Sequence, residues 1–114
     1  MRRELLLLQD IIAAIDAVAL FTARMQFEAF HSDSVVPSAV LYQLIVIGEA
    51  AHRVSAGLRE RYPAIPWAGM RGLRNITVHN YFGIDWEEVW HTITEEAPVL
   101  REQIAAVLAT EFVK

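Results

Sequence analysis

A chain of 114 residues with a net charge of -4, no cysteine and 54% hydrophobic residues has room for one modest core. These values exclude a disulfide or thiolate-metal scaffold and a broad basic face that coats nucleic acid regardless of sequence. The expectation is one domain over residues 1–114 whose high mean hydropathy, +0.29, reserves an apolar face for a second copy or another partner.

No apolar run reaches the length of about 18 residues that a membrane span needs, because Asp16, Pro37, Gln43 and Glu49 interrupt the candidates. Arg2-Arg3 before Leu5 to Leu8 imitates the start of a signal peptide, but Gln9-Asp10 cuts it short. The expected compartment is the cytoplasm, with no membrane contact.

In chain order, Leu5, Leu8, Ile12, Ile15 and Ala19 recur at helical spacing and predict a first helix over residues 4–30. His31 to Ser34 form a turn in which Asp33 or Ser34 caps the next helix, with Pro37 acceptable in its first turn. The second helix is predicted from Val36 to Leu58. Val40, Leu44, Ile47, Ala51, Val54 and Leu58 form one stripe, and Leu41, Ile45, Gly48 and His52 form another beside it. So wide an apolar surface implies burial on more than one side. Tyr62-Pro63-Ala-Ile-Pro66 reads as an extended connection. A third helix is predicted from Trp67 to about Val78, with Gly69 and Gly72 either weakening it or permitting a close approach by another backbone. Asp85 caps a fourth helix that begins with Glu87 and Glu88, and Pro98 divides it from a last helix over residues 98–112. With little β signal, the fold class is all-α: an antiparallel up-and-down bundle of four to five helices.

Useful chemistry concentrates between Trp67 and Trp86, where Arg71, Arg74, Asn75, His79, Asn80 and Tyr81 fall within eleven positions. A guanidinium is always charged and its fork of donors suits phosphate oxygens. An imidazole exchanges a proton near neutrality. Such a pair suits RNA cleavage in which the ribose 2'-OH attacks the adjacent phosphate, His79 moving protons and Arg74 stabilising the charge that develops. On a continuous helix, positions five apart differ by roughly 140°. Arg74 and His79 therefore meet one phosphate only if the helix unwinds near Thr77 to Asn80 or a second chain completes the site. The β-branched Ile76, Thr77 and Val78 favour the frayed end.

Arg74, four intervening residues, His79, one residue and Tyr81 resemble the Arg-x4-His-x-Tyr signature of the HepT toxins within the HEPN superfamily. Gly48-Glu49-Ala50, Tyr62-Pro63, Ile65-Pro66-Trp67, Arg74-Asn75 and Tyr81-Phe82-Gly83 match HepT landmarks in order, across roughly residues 40–91. The resemblance implies a HEPN helical bundle and a metal-independent endoribonuclease toxin of a type VII toxin-antitoxin pair. Its cleavage would leave a 2',3'-cyclic phosphate. It further implies a homodimer, an RNA substrate, and a cognate minimal nucleotidyltransferase antitoxin that attaches AMP to Tyr81. Catalysis would fall to Arg74 and His79, with Arg71, Asn75 and Glu49 supporting, and no cofactor. Asn80 departs from the glycine that HepT-like sequences often carry there.

Each residue also has a plainer role. Arg74 can pair structurally with a carboxylate such as Glu49, His79 can sit against a helix dipole, and Tyr81 can edge the core. Glu49, set among aliphatic residues, is expected to be buried beside a partner, either Arg53 or the Arg74–His79 pair. His52, His79 and His91 match no familiar metal-site spacing. The rival function is a non-catalytic helical subunit that presents nucleotide or substrate to an associated nucleotidyltransferase, and a third reading is a structural dimer.

Overall fold

The computed structural model of the chain describes the backbone of residues 2–112, and their side chains except those of Arg2, Val78 and His79. Helices α1 (Arg2–Phe21), α3 (Val36–Arg53) and α7 (Ala97–Glu111) form the frame, with the short α2 (Phe27–Ser32), α4 (Ala56–Arg61), α5 (Trp67–Gly72) and α6 (Trp86–His91) between them. No strand occurs among the described residues. The all-α HEPN-like bundle expected from the sequence is the observed architecture.

Both α3 and α7 run antiparallel to α1. Glu4 at the start of α1 accepts hydrogen bonds from the Ser55 backbone N–H just beyond the end of α3, and Asp16 late in α1 accepts from Arg101 early in α7. A second tie joins Arg61 and the Tyr62 hydroxyl, as donors, to Glu111 at the end of α7. The Arg61 guanidinium, and after it the Tyr62 hydroxyl, hold the Glu111 carboxyl below its ordinary range.

All six residues of the first α3 stripe are buried. Side chains of this kind contribute roughly 1.5–3 kcal/mol each when removed from water, so α3 is the central element, packed between α1 and α5. On α1 the core face is Leu8, Ile11, Ile15 and Val18 rather than the stripe expected, because Ala19 is exposed and Ile12 is only half-buried.

Three helix boundaries differ from the expectation. The first helix stops at Phe21, where Thr22 to Arg24 turn and Arg24 takes a φ of 65°. This redirects Phe27 and Phe30 onto the α6 tryptophans, Phe30 lying 5.0 Å from Trp90 and 6.0 Å from Trp86 between ring centroids. The second helix ends at Arg53, because Ser55 starts α4 by accepting from the Leu58 N–H. Pro98 does not divide the last two helices. A widened π turn over Thr92–Glu96, closed by Ala97 N–H to the Thr92 carbonyl, joins α6 to α7 and accommodates the hydrogen that proline lacks. The expected caps are present: Asp33 accepts from the Val35 and Val36 N–H groups, and Asp85 from the Glu88 N–H.

The glycine that admits a neighbouring backbone is Gly48, not Gly69 or Gly72, which have open space around them. A Cβ on Gly48 would lie 2.4 Å from the Arg74 backbone nitrogen and 3.0 Å from its Cα. Gly48→Ala should therefore cost about 1–3 kcal/mol, whereas Gly69→Ala, inside α5 and unobstructed, should gain up to about 1 kcal/mol. Denaturant melts of the two variants beside the parent check both signs, and equal stabilities would contradict the close approach.

Candidate functional site

The segment after α5 is not a continued α-helix. A 3-10 turn over Leu73–Asn75 ends at Ile76, which is extended (φ -65°, ψ 127°), as is Thr77 (φ -139°, ψ 167°). A second 3-10 turn then runs over Val78–Gly83. The helix expected to run to about Val78 thus ends at Gly72, and the backbone unwinds from Ile76. Position 79 thus falls in a separate turn from Arg74. The His79 side chain lies outside the described residues.

Two contacts fix this segment. On one side its backbone sits against Gly48 of α3. On the other, Tyr81 meets Trp86 edge-on at 5.6 Å, and Trp86 in turn meets the fully buried Phe30. Within the turn, Asn80 Oδ1 accepts from the Thr77 N–H at 3.1 Å and from the Thr77 hydroxyl, while the Asn80 N–H donates to the Thr77 carbonyl at 3.1 Å. Asn80 thereby closes the turn reciprocally with Thr77.

Arg74 and Asn75 are exposed. Among the described residues Arg74 makes no ion pair, so its guanidinium fork faces solvent. Arg71 is half-buried, and its Nε is enclosed without a hydrogen-bond partner among the described residues. Glu49 corrects an expectation: it is exposed, with no ion pair or side-chain hydrogen bond among the described residues. On α3 it lies one step round from Gly48, which takes it off the face that meets the Arg74 backbone. There it lines an open groove of about 330 Å³ with Asp10, Tyr42, Ile45 and Arg53.

Tyr81 is half-buried and lines a second open groove, of about 390 Å³, with Leu41, Tyr42, Ile45, Ile76 and Thr77. The two grooves share Tyr42 and Ile45, so the outer face of α3 is continuous with the motif. Tyr42 is 65% exposed on it, and Phe82, next to Tyr81, is 97% exposed. Sequence reasoning missed the roles of Gly48, Tyr42 and Phe82. The glycine was visible as a break in an aliphatic helix, but a burial pattern does not tell an exposed aromatic from a core one. Among the described residues no three of His, Asp and Glu cluster closely enough to hold a metal ion, and no helix is long and apolar enough to cross a membrane.

Chemically, this is an exposed cation on one tight turn, followed by a second turn whose tyrosine lines an apolar groove. Comparisons with known proteins agree with that setting. The model of the HepT-like ribonuclease family, described as "Ribonuclease HepT-like", matches residues 11–107. The chain is 35% identical over 100 residues to "Putative RNase MJ1380" of Methanocaldococcus jannaschii, covering 88% of this chain and 92% of that one. It is 36% identical over 94 residues to "Probable ribonuclease HepT" of Thermococcus cleftensis, covering 82% and 86%. No solved structure matches the chain.

Removing the Asn80 side chain should loosen the second turn without unfolding the bundle. Asn80→Ala is expected to speed hydrogen exchange at the Thr77 amide several-fold, since a lost cap costs about 1 kcal/mol, with the melting temperature nearly unchanged. Unaltered exchange there would contradict the reciprocal closure. The match over residues 11–107 and the coverage of both relatives establish that the chain belongs to the HepT-like ribonuclease family.

Proposed function

We propose that this chain, as one helical domain, is a metal-independent endoribonuclease toxin acting in the cytoplasm. Its antitoxin would be a minimal nucleotidyltransferase of the type VII kind. The observation that carries the reading is the extended break at Ile76–Thr77, which sets Arg74 and His79 on two separate turns, together with an exposed Arg74 that makes no ion pair among the described residues. Membership of a ribonuclease family supports it.

In this reading His79 takes or returns the proton as the ribose 2'-OH attacks the adjacent phosphorus and the 5'-oxygen leaves. The products are a 2',3'-cyclic phosphate and a free 5'-hydroxyl. Arg74 stabilises the negative charge that builds on the phosphate oxygens. Asn75 donates to a phosphate oxygen, and Arg71, half-buried, braces the turn. Glu49 contributes at most through the field of its charge, since it faces the α3 groove. The apolar outer face of α3, bounded by Asp10, Glu49 and Arg53, suits a second copy of the chain, with both signs of charge available at its rim.

Silencing follows from Tyr81. Its hydroxyl oxygen attacks the α-phosphorus of ATP on the partner enzyme, losing its proton and releasing pyrophosphate. The attached AMP sets a phosphate and an adenosine beside Arg74, obstructing RNA by charge and by bulk.

Arg74→Ala and His79→Ala are each expected to lower cleavage of single-stranded RNA by about 100-fold or more and to abolish growth arrest, while sedimentation still shows two chains per particle. Two folded variants as toxic as the parent would remove Arg74 and His79 from the chemistry. After co-expression with the neighbouring nucleotidyltransferase, mass spectrometry should find AMP on Tyr81. An unmodified tyrosine in a neutralised complex would defeat the silencing route.

A further inference from the structure

We propose that Phe82 is a stacking platform for a nucleobase of the RNA next to the bond that is cut. The proposal rests on the ribonuclease reading and adds to it a binding residue.

At 97% exposure Phe82 is the most exposed large apolar side chain among the described residues, and the fold does not use it. Its neighbours Tyr81 and Trp86 complete the aromatic column to Phe30, while Phe82 touches that column only through Tyr81, at 5.5 Å and 81° between ring planes. A ring so placed keeps its faces in water. The turn beneath it is closed at its start by Thr77 and Asn80 and at its end by the Ile84 N–H donating to the Tyr81 carbonyl.

The register of that turn relates two of its backbone positions. In a 3-10 turn residues three apart eclipse one another, so positions 79 and 82 occupy the same face. A base laid on Phe82 would therefore bring its own or the adjoining phosphate toward position 79, with the exposed Arg74 and Asn75 on the preceding turn.

The surroundings favour RNA over a protein partner. Thr77, Asn80 and Gly83 of the same turn are exposed and polar or small, whereas the aromatic anchors of a protein contact cluster together at its centre, inside a polar rim. Stacking needs one aromatic face and nearby donors for phosphate. It also suits a chain of net charge -4, because base stacking supplies affinity that a basic surface otherwise would.

The test is fluorescence anisotropy of a short labelled single-stranded RNA made uncleavable by 2'-O-methyl riboses, at fixed salt. Phe82→Ala should weaken binding roughly 10-fold without shifting the melting temperature. Phe82→Trp should bind like the parent, and Phe82→Leu like the alanine variant. An abasic position walked along the RNA should cost the parent a similar factor at one place and cost Phe82→Ala nothing further there. Unchanged affinity of Phe82→Ala, full rescue by leucine, or loss of the dimer in place of RNA affinity would overturn stacking. If the parent nonetheless cleaves RNA, the ribonuclease reading stands, whereas a parent that neither binds nor cleaves RNA removes both.

Discussion

The absence of a side chain at Gly48 is the constraint on which the rest depends. Any larger residue there would place a carbon 2.4 Å from the Arg74 nitrogen, closer than unbonded atoms approach. With glycine, the motif's backbone rests directly on the central helix. Arg74 is thus located through its main chain, and its guanidinium makes no ion pair among the described residues. An arginine positioned by its own ion pair would face the opposite trade, since the pair that fixes it also occupies its donors.

The second half of the motif obeys a different rule. Between Asn75 and Val78 the chain gives up helical hydrogen bonds, and two extended residues separate two tight turns. The loss is partly offset by the reciprocal bonds between Thr77 and Asn80, and by the aromatic column from Tyr81 through Trp86 to Phe30. That column is the reason the early turn at Arg24 matters for the site. It brings α2 under α6, and α6 carries the tryptophan that supports Tyr81. A segment held at both ends with its middle unwound presents side chains at angles that a regular helix cannot offer.

Composition and architecture agree on how an acidic chain would meet a polyanion. Among the described residues the motif offers a local cation on one turn, and the turn that follows carries a groove-lining tyrosine and an exposed ring. The groove runs along the outside of α3 and shares Tyr42 and Ile45 with its neighbour, which accounts for part of the hydrophobic surplus. Affinity in such an arrangement rests on a few contacts, so individual side chains carry more of it than they would on a basic surface.

The sequence by itself determined the all-α class, the central stripe from Val40 to Leu58, the cap at Asp85 and a cap at Asp33 or Ser34, and the family, because each is written in local periodicity, in single-residue turn chemistry or in an ordered set of motifs. It also showed that an unbroken helix could not bring Arg74 and His79 to one phosphate. Only the tertiary structure decided where the long helices stop, since Arg24 and Ser55 carry no strong breaking signal and act through what their neighbours then pack against. It decided too that Glu49 faces water, that Gly48 rather than Gly69 or Gly72 meets another backbone, and that Tyr81 is half-covered while Phe82 is bare. The physical reason is common to all of these: periodicity says which residues share a face, but what that face meets depends on elements far away in the chain.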